Sequence, residues 1–218
     1  YDHRFHTLHF SIERMSNKCT NFICKKTQTW TVEKWLQTET ALRPAFDSVT
    51  DASTALPITS IDYYQLLFYA DRSEKLKKVL QTSWERQLFT YQGYQMRFRY
   101  LWYGNKTEGN RSLVISMHGG GATSASVNDQ QWNNQIRLYQ PKEGIYLAPR
   151  APTNSWNLWH QAHIDPLIDQ IIYAAVLFAG VDQGKVYLNG YSAGGDGTFQ
   201  LSARMADRFA AAAMMAGH

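Results

Sequence analysis

The chain has 218 residues, 44% of them hydrophobic, and a formal net charge of +4. That apolar share can close a core, which excludes global disorder, and the length suits one large domain or a domain with an appendage. The 22 basic and 18 acidic side chains divide as 11 against 10 up to residue 85 and 11 against 8 beyond it, so no basic face marks a nucleic-acid binder; the longest uncharged apolar runs, 171–180 and 209–217, fall far short of the ~20 residues that span a bilayer.

Residues 1–85 read as a helical region. His3, His6 and His9 alternate with aromatic and aliphatic residues, but three histidines near a frayed end are not taken as a metal site. Cys19 and Cys24 are too few for a disulfide framework; they can form one local bridge or stay as two thiols. The chain starts at Tyr1 without a methionine or a visible signal peptide, so the N-terminus reads as trimmed, and the compartment stays open with the cytoplasm slightly favoured. Thr31 can cap a helix carrying Val32, Trp35, Leu36 and Leu42, stopped by Pro44. Residues 47–59 have a loop composition. Ser60 can cap a second helix with Ile61, Tyr64, Leu67 and Phe68 on one face. Ser73, followed by Leu76, Val79, Leu80, Trp84 and Leu88, marks a third.

Residues 86–218 change period. Segments 87–91 and 94–103, joined at Gln92-Gly93, read as a β-hairpin. Tyr94, Met96, Phe98, Tyr100 and Trp102 alternate with Gln95, Arg97 and Arg99, one face buried and the other wet. Asn105-Lys106-Thr107 and Asn110-Arg111-Ser112 fit the glycosylation sequon, which matters only in a secreted eukaryotic protein. A short apolar strand, 112–117, empties into His118-Gly119-Gly120-Gly121. A helix near 128–139 and a strand at 144–148 follow. The loop 149–164 leaves the carboxyl end of that strand, the ligand-facing edge of a parallel sheet, and carries Trp156, Trp159, His160 and His163. The tryptophans can simply pack the loop, or they can wall an apolar pocket. Asp165-Pro166 is a good helix start, and the helix to about Ala179 is apolar nearly all round, so deep burial is expected.

A strand at 186–188 then leads into Gly190-Tyr191-Ser192-Ala193-Gly194 and a helical run. Strand, sharp turn and helix with serine at the apex is the setting in which G-x-S-x-G is informative. The glycines upstream at 119–121 let main-chain N–H groups approach a developing oxyanion, because only residues without side chains permit that closeness. Gly120, Gly121 and the Ala193 N–H are the expected donors. His118 precedes the serine and reads as structural. Another strand, 210–215, ends at Gly217-His218.

At these residues, over about 87–218, the chain resembles the α/β-hydrolase superfamily, and within it the esterase and polyhydroxybutyrate-depolymerase-like group. The resemblance implies an α/β fold with an eight-stranded, mostly parallel sheet, antiparallel N-terminal strands and helices on both faces. It implies a Ser-acid-His triad, a small-molecule or polymer-linked ester as substrate, and neither cofactor nor metal. Ser192 would be the nucleophile, with Tyr191, Trp156, Trp159, His160 and His218 lining the substrate pocket. The acid and base are harder to find. After Ser192 the order offers Asp196 or Asp207 and then His218; Asp207 lies about 20 Å away along its helix at 1.5 Å per residue, and Asp196 reads as a first-turn dipole partner. The chain is therefore expected to be a piece of a longer enzyme, inactive by itself. A non-catalytic hydrolase-like binding protein, or a peptidase or thioesterase on the same frame, are the alternatives.

Overall fold

A computed structural model describes residues 30–45, 49, 61–105 and 110–218. The histidines at 3, 6 and 9, the cysteines at 19 and 24, the loop 47–59 apart from Val49, the Ser60 cap and the sequon at 105–107 lie outside these described residues, apart from Asn105. The chain divides into two compact units, Tyr1–Ser73 and Glu74–His218.

In the first unit, α1 (Val32–Gln37) is capped as its sequence suggests: Thr31 Oγ1 accepts from the Lys34 N–H at 3.2 Å. Val32 and Leu36 bury against Val49. Leu42 does not join that face. The helix stops at Gln37, six residues short of Pro44, and Leu42 is exposed in a 3-10 turn.

The two helices expected after Ser60 and Ser73 are one, α2 (Ile61–Glu85). No glycine or proline interrupts the run, and a mid-helix serine costs too little to break it. In the second unit Leu76, Leu80 and Trp84, spaced four apart, turn into the core, while Val79 points outward and Leu88 has already entered a strand.

Six strands form one sheet: β1 (Leu88–Tyr91), β2 (Tyr94–Tyr103), β3 (Arg111–Met117), β4 (Gly144–Pro149), β5 (Val181–Tyr191) and β6 (Ala211–Met215), in the spatial order β1-β2-β4-β3-β5-β6. The first two pairings are antiparallel and the remaining three parallel. This is the fold class expected from the sequence, with six strands among the described residues. Leu113, Ile115, Ile145, Leu147, Val186 and Leu188 face α4 (Ile164–Ala179), α5 (Ala193–Arg204) and the last turns of α2. Tyr146 and Ala148 face Trp132 and Ile136, from α3 (Ala125–Gln135) and its C-cap. With both faces covered, β4 is buried at every residue, which is why it reads as an unbroken apolar run.

Three expectations are corrected. On β2 the inward face consists of the buried Met96 and Phe98 and the partly covered Tyr100, which stacks on Trp84; Tyr94 and Trp102, towards the strand ends, stay exposed. The helix α4 starts at Ile164 without a side-chain cap, and Asp165 instead pairs with Arg204 at 2.7 Å. Its burial is one-sided, with Leu167, Ile168, Ile171, Ile172, Ala174 and Ala175 inward and Tyr173, Val176, Leu177 and Phe178 only partly covered. No helix among the described residues is long and apolar enough to cross a membrane.

Candidate active site

Ser192 alone joins β5 to α5. One residue must reverse the chain, and it does so at φ 55°, ψ −124°, a region that non-glycine residues avoid at a cost of about 1–3 kcal/mol. Three main-chain hydrogen bonds hold it there: its N–H donates to the Met215 carbonyl at 2.9 Å, and its carbonyl accepts from Gly195 N at 2.7 Å and Asp196 N at 3.1 Å. The surrounding glycines permit the close packing. A Cβ on Gly194 would lie 2.1 Å from the Met117 carbonyl oxygen, at the end of β3.

The same strand end delivers the glycine loop to the serine. A Cβ on Gly119 would come within 3.1 Å of Ser192 Cβ and 3.6 Å of its Oγ. Gly120 and Gly121 follow at φ +104° and +96°, values that favour glycine over any residue with a side chain. The N–H of Gly121, one of the expected oxyanion donors, donates to Asn128 Oδ1 at 2.8 Å. The Gly120 and Ala193 N–H groups have no protein acceptor among the described residues.

His118 is fully buried and locked. Its Nε2 accepts from the Ala151 N–H at 3.1 Å, so the ring proton sits on Nδ1, which donates to the Gly119 carbonyl at 2.6 Å. Burial pushes its pKa down to about 4, against about 6.5 for an unfolded histidine. Between those values the unfolded chain binds a proton that the folded chain refuses, so stability rises with pH through the window and falls on acidification. The full difference is about 3 kcal/mol. His118→Gln is expected to lose stability at pH 7 and to flatten the urea-midpoint profile between pH 6.5 and 4; equal slopes in both proteins would contradict this.

The remaining expected residues separate. Trp159 is wholly buried, donates from Nε1 to the His118 carbonyl at 3.0 Å and packs where Gly197 leaves room, so it belongs to the core. Trp156 is 73% exposed, and its ring lies 6.2 Å from that of His218. Tyr191 and His160 are also exposed. His218 donates from its main-chain N at 2.7 Å and its Nδ1 at 3.1 Å to the two oxygens of Asp196. That pairing holds the Asp196 carboxyl below the usual carboxylate range. Among the described residues no side chain is hydrogen-bonded to Ser192 Oγ.

Sequence reasoning missed the polar support beneath the glycine loop. Asn128 in α3, Asp129 beside it, Arg150 after β4 and Asn154 connect by hydrogen bonds. The available signal was a basic residue at the carboxyl end of an otherwise apolar strand.

No family model and no curated protein matches the chain. Similar solved structures exist. One is a thermostable esterase, at 22% identity and TM-score 0.48, covering 60% of this chain and 39% of that one. Another is acetyl xylan esterase from Aspergillus awamori, at 20% and 0.42, covering 54% and 45%. A third is ferric enterobactin esterase from Salmonella typhimurium, at 18% and 0.44, covering 62% and 39%. The chain spans less than half the length of each.

Proposed function

We infer that this chain carries the acyl-transfer centre of a serine hydrolase that cleaves carboxylic esters. The observation that carries the reading is the convergence of two backbone bends: the strained Ser192 apex, and the glycine loop whose first residue abuts its Oγ. Ser192 Oγ attacks the ester carbonyl carbon as a general base takes its proton. The carbonyl oxygen becomes an oxyanion, accepting from the Gly120 and Ala193 N–H groups. Collapse expels the alcohol and leaves an acyl group on Ser192, which water hydrolyses with the same base. A histidine is the natural base; none of those described bonds to Oγ, so the reading assigns it to a residue outside this set. Tyr191, Trp156, His160 and His218 are the proposed rim of the substrate pocket. The proposed substrate is an ester of a small molecule or one that hangs from a polymer.

A second reading, a hydrolase-like protein that binds without turnover, is favoured by one observation, that no side chain among the described residues is hydrogen-bonded to Ser192 Oγ. Mixing the protein at its natural length with a short-chain p-nitrophenyl ester separates the two. The hydrolase reading expects a burst of p-nitrophenol of about one equivalent per chain and then steady release. Binding without release would establish the second reading. Parallel assays with thioester and peptide substrates decide which acyl bond is preferred.

A further inference from the structure

The amide of Asn128 is fully buried in the first turns of α3 and lies directly beneath the glycine loop. Its Oδ1 accepts the Gly121 N–H at 2.8 Å and occupies the space that a Cβ on Gly120 would need, 2.4 Å away. An asparagine amide can sit either way round, and its neighbours decide which end faces the loop. Here the decision can be traced. The Arg150 guanidinium can only donate. It is itself buried: Nε donates to Asp129 Oδ1 at 2.8 Å, Nη1 to the Ala151 and Thr153 carbonyls, and Nη2 to Asn154 Oδ1 at 2.5 Å. Asn154 Oδ1 is thereby fixed as an acceptor, and it also takes the Asn128 Nδ2–H at 3.1 Å. With its nitrogen committed to Asn154, Asn128 must present oxygen to Gly121.

We propose that Asn128, oriented through Asn154 by Arg150, is the positioning residue of the oxyanion loop: it withdraws the Gly121 N–H and leaves the Gly120 N–H for the reacting carbonyl. The proposal rests on the serine hydrolase reading. Asn128 touches no substrate. It acts by setting the consecutive left-handed residues Gly120, Gly121 and Ala122, at φ +104°, +96° and +43°. A flipped or absent amide frees the Gly121 N–H, and these residues, two of them glycines, can then rotate the Gly120 donor away from the serine.

The test uses Asn128→Ala and Asn154→Ala in the protein at its natural length. It combines ester turnover, normalised to the serine titrated in the burst, with amide hydrogen exchange at Gly121. Normalisation separates loop geometry from folded fraction, because unfolded molecules titrate no serine. Asn128→Ala is expected to lower turnover per titrated serine by roughly 10–100-fold, to leave KM within about threefold, and to speed Gly121 exchange. Asn154→Ala moves both readouts the same way by less. It keeps the test open should Asn128→Ala fail to fold. Turnover within about threefold of the unmodified protein in the variants would overturn the proposal and leave the hydrolase reading standing. No burst in the unmodified protein would remove that reading and the catalytic role of the loop. Unchanged Gly121 exchange would show that Asn128 does not hold the glycines.

Discussion

Replacing Ser192 with alanine is expected to remove ester turnover, lowering kcat by at least about 10³-fold, with the fold retained. The hydroxyl makes no protein hydrogen bond among the described residues, so its loss leaves no buried group stranded. The main-chain bonds to Met215, Gly195 and Asp196 are indifferent to the side chain. Alanine keeps the Cβ and therefore the strain at φ 55°. Ser192→Gly, which relieves it, is expected to be equally inactive and yet more stable than the unmodified protein by about 1 kcal/mol. A pair of thermal melts and one rate assay reads all of this. Near-normal turnover in Ser192→Ala would take the serine out of the mechanism. A Ser192→Gly protein less stable than Ser192→Ala would mean the turn stores no strain.

A large effect on folding is expected at Gly194. An alanine Cβ there would meet the Met117 carbonyl oxygen at 2.1 Å, its carbon at 2.7 Å and the His118 carbonyl oxygen at 2.9 Å. All three are backbone atoms, so no rotamer change relieves the overlap. The first turn of α5 must lift off β3, which also moves the serine away from the glycine loop. A loss of about 3–5 kcal/mol, or no soluble protein, is expected. Gly93→Ala is the control. Its φ of +83° strains any side chain, but nothing lies within 4 Å of the added carbon, so about 1 kcal/mol is expected. Comparable melts for the two variants would show that the close approach of α5 to β3 is not what Gly194 permits.

Much of this was legible in the residues because it is local. The hairpin turn, the apolar runs of β3 and β4, and Gly190-Tyr191-Ser192-Ala193-Gly194 each carry their signal within a few positions. The misreadings share a different character. Ser73 looks like a cap, but caps need a helix to begin, and the run from Ile61 to Glu85 contains no glycine or proline to end one. Trp159 and Trp156 are indistinguishable as letters. One fills the gap above Gly197 and reaches the His118 carbonyl, while the other stands in solvent. Asn128 and Arg150 are 22 positions apart, and the relay through Asn154 exists only once β4 and α3 lie side by side. Gly121 shows the same limit within the motif itself, since a glycine-rich sequence permits several amides to approach a substrate, and which of them does so is settled by a side chain from another element.

Acyl transfer on Ser192 depends most on where two amide hydrogens point, and a crystal structure of the protein after reaction with a fluorophosphonate reads that directly. The phosphonyl phosphorus stands in for the attacked carbonyl carbon and its oxygen for the oxyanion. A single adduct on Ser192 Oγ, its phosphonyl oxygen about 2.7–3.1 Å from both the Gly120 and the Ala193 nitrogens, is the expected result. An unmodified Ser192, or an adduct whose oxygen turns to solvent away from both amides, would contradict it.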